Sequence, residues 1–172
     1  MAISQSLLIN KSASFQEPLH GSMQKSASKG MKSAFLCHSH KDEAIVKGLI
    51  VLFQEAEIDI YIDWKDHTMP DVPNVETAKK IQQKIKTCDF FFFLASLNSK
   101  VSRWCPWEIG YADSNKRNIY IISTSDGRDT YGNEYLQLYP RIDQGLIETR
   151  EVLAIFEAGA KKGQLLSVDA LS

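Results

Sequence analysis

The sequence predicts an α/β protein built on an open, mostly parallel sheet with helices on both faces, and three features carry that expectation. Short runs of β-branched and aromatic residues alternate with stretches whose apolar residues recur at helical spacing. The run Phe90-Phe91-Phe92-Phe93-Leu94-Ala95 is apolar throughout, as in a strand covered on both faces. Finally, 172 residues with 44% apolar and 10% aromatic content suffice for one domain with a closed core.

Residues 1–31 differ in composition from the rest. Ser, Lys, Gln and Gly dominate, Pro18 and Gly21 interrupt any period, and the segment is expected to be a mobile extension with at most one docking turn. The patch Leu7-Leu8-Ile9 is too short for a secretory leader core. Regular patterning starts at Lys32 and defines a domain over residues 32–172. Residues 33–37 read as the first strand, and Ile45, Leu49, Leu52 and Ala56 mark one face of the helix after it. Residues 58–62 alternate as a second strand, followed by a polar loop with two prolines over residues 63–73. Asn74 is placed to cap a helix whose buried stripe is Ala78, Ile81, Ile85 and Cys88. The Phe run is the third strand, residues 103–115 a helix, and Ile119–Ile122 the fourth strand. Beyond it, residues 124–133 are turn-rich, 134–141 read as helical and 151–156 as the last strand. Such alternation implies right-handed crossovers and ligands bound beyond the carboxyl ends of the strands.

Charge and cysteine content narrow the function classes. Twenty Lys and Arg against twenty-one Asp and Glu leave a net charge of -1, without the basic excess of a general nucleic-acid binder. No apolar run is long enough to span a bilayer. Cys37, Cys88 and Cys105 form an odd set without CxxC spacing, which suits a reducing, cytoplasmic setting and neither a disulfide framework nor a metal site. No GxGxxG or GxxxxGKS/T loop follows any strand, and acidic residues do not cluster after the first and third strands. Dinucleotide-fold, P-loop and phosphoacceptor chemistry are therefore not expected.

Two segments could carry chemistry. In Trp104-Cys105-Pro106-Trp107-Glu108, Pro106 suits the first turn of a helix, which places Trp104 and Glu108 one turn apart with Trp107 and Tyr111 flanking. Aromatics at this spacing often pack into cores, so a core face and an active carboxylate both stand open on the segment alone. After the first strand, His38, Ser39, His40 and Lys41 precede a helix start. Backbone amides there suit a phosphate group, and an ordinary N-cap by Ser39 or Asp42 suits the residues equally.

With these residues in view, the chain resembles a Toll/interleukin-1 receptor (TIR) domain of the compact bacterial sort. The matching pieces are residues 34–42, the Tyr61-Ile62-Asp63 strand end, residues 85–90 and residues 102–108, together spanning about residues 32–125. The resemblance implies a flavodoxin-like three-layer sandwich with a mostly parallel five-stranded sheet. It places the family's BB loop at residues 63–73, with Pro70-Asp71 where the family usually has Pro-Gly. It also implies cleavage of NAD+ at the nicotinamide–ribose bond, with NAD+ as substrate and no cofactor. The required glutamate falls on Glu108 and its aromatic partner on Trp104. Trp107 or Trp64 would add stacking, and His38, Ser39, His40, Lys41 and Asp63 would complete the substrate-binding set. One carboxylate can hold the ribose hydroxyls and stabilise an oxocarbenium-like centre. Water capture then gives ADP-ribose, and capture by the adenine or a ribose hydroxyl gives a cyclic ADP-ribose, an anti-phage immune signal sensed by a downstream effector. The resemblance further implies a homo-oligomer or filament through TIR–TIR contacts. Its rivals are a non-catalytic TIR adaptor and a nucleoside deoxyribosyltransferase-like enzyme.

Overall fold

The computed structural model describes residues 1–16, 32–58, 60–63, 74–115 and 118–171, with the backbone alone for 60–63. Along the chain run β1 (Ile3–Ser4), α1 (Gln5–Ser12), β2 (Lys32–Cys37), α2 (Glu43–Glu55), β3 (Ile60–Asp63) and α3 (Val75–Thr87). Next come β4 (Phe90–Leu94), α4 (Leu97–Val101), α5 (Cys105–Asn115), β5 (Ile119–Ile122), β6 (Thr124–Ser125) and β7 (Thr130–Tyr131). The chain finishes with β8 (Arg141–Ile147), β9 (Arg150–Phe156) and β10 (Gln164–Leu165).

The main sheet has the order β10-β9-β8-β5-β4-β2-β3. Strands β3, β2, β4, β5 and β8 are mutually parallel, so the parallel part has the flavodoxin-like order, with β2 and β4 flanking the point where the order reverses. The sheet is mostly parallel as expected, but it has seven strands: its fifth parallel strand is β8, while β9, where the last strand was expected, pairs antiparallel with β8 and β10 pairs antiparallel with β9. Alternation along β4 divides the core into two layers. Phe90, Phe92 and Leu94 join Leu49 and Phe53 of α2 on one face, where Phe53 and Phe92 stack at 5.7 Å. Phe91 and Phe93 meet Ile81 and Ile85 of α3 and Ile109 and Ala112 of α5 on the other. A continuous apolar run forms a strand here because both of its faces are covered. Asn74 caps α3 as its residue type requires, accepting from Glu76 N at 2.8 Å and Thr77 N at 3.1 Å.

Two expectations change. Of the extension expected over residues 1–31, the first sixteen are packed onto the domain, and residues 17–31 lie outside the described residues. Ile3 of β1 pairs beside Thr124 of β6, its N–H donating to the Ser123 carbonyl at 2.8 Å, and Leu8 of α1 is fully buried with Val46 and Leu49. The reason lies in α2: a Cβ at Gly48 would sit 1.7 Å from the Leu8 carbonyl oxygen, so the absent side chain lets the two helices touch backbone to backbone. The second change concerns residues 134–141, which form only a 3-10 turn at Asn133–Tyr135 followed by further turns and a bend before β8 starts at Arg141. Gly132 enters this turn at φ 95° and Pro140 follows it, so both ends of the segment resist a helix. Tyr135 and Tyr139 supply the helix-like spacing by packing against the α3/α5 face of the sheet. The strand expected at 151–156 is present as β9.

Candidate active site

The site lies where β2 and β4 end, at the reversal of strand order, which is where open α/β sheets leave a crevice for ligands. Strand β2 finishes with Cys37 in register with Phe93 of β4. Ser39 then caps a 3-10 turn (His40–Asp42), its Oγ accepting from Lys41 N at 3.4 Å. Asp42 is buried and ties the two sides of the crevice together. One carboxylate oxygen accepts from Ser96 Oγ at 2.5 Å and the other from Asn98 Nδ2 at 2.6 Å. Ser96 in turn caps α4 through reciprocal bonds with Ser99. The chain reaches α5 through Ser102, whose Oγ accepts from Trp104 N at 3.1 Å and Cys105 N at 3.3 Å. These linked caps set where α5 starts, and so where its first turn points.

That first turn carries Glu108. Residues Cys105, Glu108, Ile109 and Ala112 form the buried face of α5. Glu108 is 7% exposed, and among the described residues it has no Lys or Arg ion pair. Burial raises its pKa to about 7, and the neighbouring Cys37 thiol pulls the other way. Cys37 is itself 1% exposed, with Sγ 3.8 Å from the Cys105 carbonyl oxygen, and burial pushes its thiol well above the ordinary range. The structure therefore sets Glu108 near Cys37, which the sequence offered only as one of three cysteines without metal or disulfide spacing. Asp42, Ser96 and Asn98 were likewise not among the candidate residues, although Ser96 and Ser99 three apart after a strand are a legible capping signal.

The other candidates fall around this pair. His38 is largely buried, its Nδ1 2.9 Å from the Leu36 carbonyl oxygen; a carbonyl only accepts, so the proton sits on Nδ1. Burial lowers the His38 pKa and favours the neutral ring. His40 and Lys41 are exposed. Asp42 and Glu43 both stand at the positive end of α2, which offsets the attraction that helix start would offer a pyrophosphate. Asp63 ends β3 opposite Phe35, and Trp64 with the rest of the expected BB loop lies outside the described residues. Trp104 and Trp107 meet edge to face at 5.4 Å and 87°, and Trp107 stacks on Tyr111 at 5.9 Å. Lys86 Nζ stands 5.6 Å from the Tyr111 ring centre. Among the described residues, Trp107 is thus engaged by two rings and Trp104 by one, which makes Trp104 the freer platform there.

Sheet order, buried acid and linked caps define a flavodoxin-like α/β domain with the buried Glu108 carboxylate near the carboxyl ends of its parallel strands. The chain belongs to the TIR domain family, whose model matches residues 34–156. It is 33% identical over 158 residues, 82% of each chain, to the probable 3′ cyclic ADP-D-ribose synthase ThsB' of Bacillus cereus (strain MSX-D12). It is also 27% identical over 101 residues to the putative cyclic ADP-D-ribose synthase TIR2 of Cytobacillus dafuensis, covering 57% of this chain and 27% of that protein.

Proposed function

We propose that the chain cleaves the nicotinamide–ribose bond of NAD+ and closes the ADP-ribosyl group into a cyclic ADP-ribose, a signal in anti-phage defence. The observation that carries this is Glu108: a buried carboxylate without a cationic partner among the described residues, at the ligand edge of a TIR domain. The relation to a protein named as a cyclic ADP-ribose synthase, over 82% of both chains, supports the cyclising outcome over simple hydrolysis.

The chemistry follows from charge. Nicotinamide is a pyridinium in NAD+ and departs neutral, so no acid need protonate it. Positive charge grows at the ribose C1′ as the bond breaks, and an ionised Glu108 stabilises it most strongly where water is excluded. The same carboxylate would accept hydrogen bonds from the ribose hydroxyls. When water or a hydroxyl of the adenosine half attacks C1′, it loses a proton, and a carboxylate with a pKa near 7 is matched to receive it. Trp104 would stack on a flat ring of the substrate and hold the adenosine half near C1′. A cytoplasmic setting, assembly of several copies and a product-sensing effector complete the proposal.

The test is incubation of the purified chain with NAD+, following free nicotinamide and the ADP-ribosyl products by chromatography. It is run over a range of protein concentrations with a crowding agent, so that assembly-dependent activity registers. Cyclic product forms, Glu108→Gln lowers the rate about a hundredfold or more, and kcat/KM falls on the acid side with a midpoint near the Glu108 value of about 7. Nicotinamide release by Glu108→Gln at the unmodified rate would overturn the proposal.

A further inference from the structure

Asp42 stands at the N-cap of α2, where an aspartate ordinarily accepts from the first amides of its own helix, yet its side chain makes no such bond. It is 2% exposed and reaches across the crevice instead, accepting from Ser96 Oγ at 2.5 Å and Asn98 Nδ2 at 2.6 Å, 54 and 56 positions away. The loops it joins leave the sheet side by side, because Cys37 and Phe93 pair at the ends of β2 and β4. Their helices then go to opposite faces, α2 against Phe92 and α5 against Phe93. The strand pairing ends at Cys37 and Phe93, so it does not by itself hold one loop level with the other. A buried carboxylate with a donor on each oxygen can do so.

From Asp42 an unbroken run of hydrogen bonds leads to Glu108. Ser96 Oγ, donating to Asp42, accepts from Ser99 N at 3.0 Å, and Ser99 Oγ donates back to the Ser96 carbonyl at 3.0 Å. The Ser99 carbonyl accepts from Ser102 N at 3.2 Å, and Ser102 Oγ accepts from the Trp104 and Cys105 amides. The Trp104 carbonyl accepts from Glu108 N at 2.8 Å. Ser96 and Ser99 are each buried, so water does not compete for the first of these bonds. We propose that Asp42 is a positioning residue for Glu108: by tying the loop after β2 to the serine caps after β4, it fixes where α5 starts and so where the Glu108 carboxylate meets the ribose. The inference rests on the NAD+-cleaving reading of the site.

Exchanging the partners tests it. Asp42→Asn sets an amide against the Asn98 amide, and Asn98→Asp sets two carboxylates together. The combined Asp42→Asn/Asn98→Asp restores a complementary pair with its polarity reversed. In NAD+ cleavage each single change lowers kcat about tenfold or more with KM altered less than about threefold, and the combination recovers most of kcat. In a Glu108→Gln background Asp42→Asn costs little further rate, because the group being positioned is gone. Where Asp42→Asn does not fold, Asn98→Ala, which removes one donor and adds no charge, is compared with Glu108→Gln in its place. A loss of kcat that recurs undiminished in the Glu108→Gln background marks a merely structural residue and overturns the role, as do single changes that leave kcat intact. Amide hydrogen exchange reads the same run of bonds without NAD+. In Asn98→Asp the amides of Trp104, Cys105 and Glu108 exchange about tenfold faster, those of Glu76 and Thr77 at the start of α3 keep their rates, and the combined variant restores protection. Unchanged exchange at Trp104, Cys105 and Glu108 overturns the positioning role even if NAD+ is cleaved. Faster exchange there in a protein that leaves NAD+ intact upholds the tie and sinks the proposed reaction instead.

Discussion

Replacing Glu108 with Gln should make the protein more stable at pH 8 and leave it nearly unchanged at about pH 4. The carboxyl titrates at about 7 in the fold against 4.5 ordinarily, because burial penalises its charged form. The folded state therefore holds the proton more tightly than the unfolded chain does. That contribution is fully present below about pH 4.5, declines as pH rises through 7, and is gone above about pH 8. A shift of this size amounts to about 3 kcal/mol. Gln has nearly the same shape and cannot ionise. The stability difference, variant minus parent, should thus grow from near zero at about pH 4, through about 1 kcal/mol at pH 5, to about 3 kcal/mol at pH 8, or roughly 6–12 °C in Tm for a chain of this length. Urea unfolding at four pH values, monitored by tryptophan fluorescence, measures it, and taking the difference cancels His38 and every other titrating group. A difference that stays flat from pH 5 to 8, or Gln the weaker at pH 8, would refute the claim that this carboxylate is held in a costly environment. The predicted sign also explains why such a residue would be retained: a group that destabilises the fold at neutral pH is kept for what its charge does.

Two further substitutions probe the packing around the site. Gly48→Ala drives a methyl into the Leu8 backbone, which a side-chain rotation cannot relieve, so α1 is displaced and stability falls by about 2–4 kcal/mol; thermal unfolding reads the loss, and a change under 0.5 kcal/mol would show that α1 does not pack there. Trp104→Ala alters the ratio of cyclic to linear product or strongly lowers turnover, while Trp107→Ala, removing the ring held between Trp104 and Tyr111, acts first on stability. Product analysis beside melting curves separates the two, and a Trp104→Ala protein with the parent's rate and products would remove that ring from the site.

What was legible in the sequence follows from the range of the interactions involved. The strand at Phe90–Leu94 and the helix faces at Ile45 and Leu49, or at Ile81 and Ile85, are written in local periodicity, because the sheet buries whatever alternates or repeats in step with it. Glu108 could be singled out because its neighbours Trp104 and Trp107 share its helical turn. The surroundings that give Glu108 its chemistry are not local. They depend on β2 ending at Cys37 instead of one residue sooner or later, since a shift of one residue turns the thiol to the opposite face of the sheet. They depend equally on Asp42 binding Ser96 and Asn98, over fifty positions away, which fixes the level of the loop that delivers α5. Leu8 and Gly48 pose the same problem: a glycine inside a helix reads as a weakness until the helix that needs its missing Cβ is seen against it. Pattern thus locates the acid, and its burial in the packed fold raises its pKa while the Cys37 thiol, placed by the end of β2, pulls the other way. A lengthened β2, with one residue inserted before Cys37, should accordingly turn the thiol away while burial stays, moving the Glu108 carboxyl pKa further above its ordinary range, which a 13C titration of that carboxyl would detect.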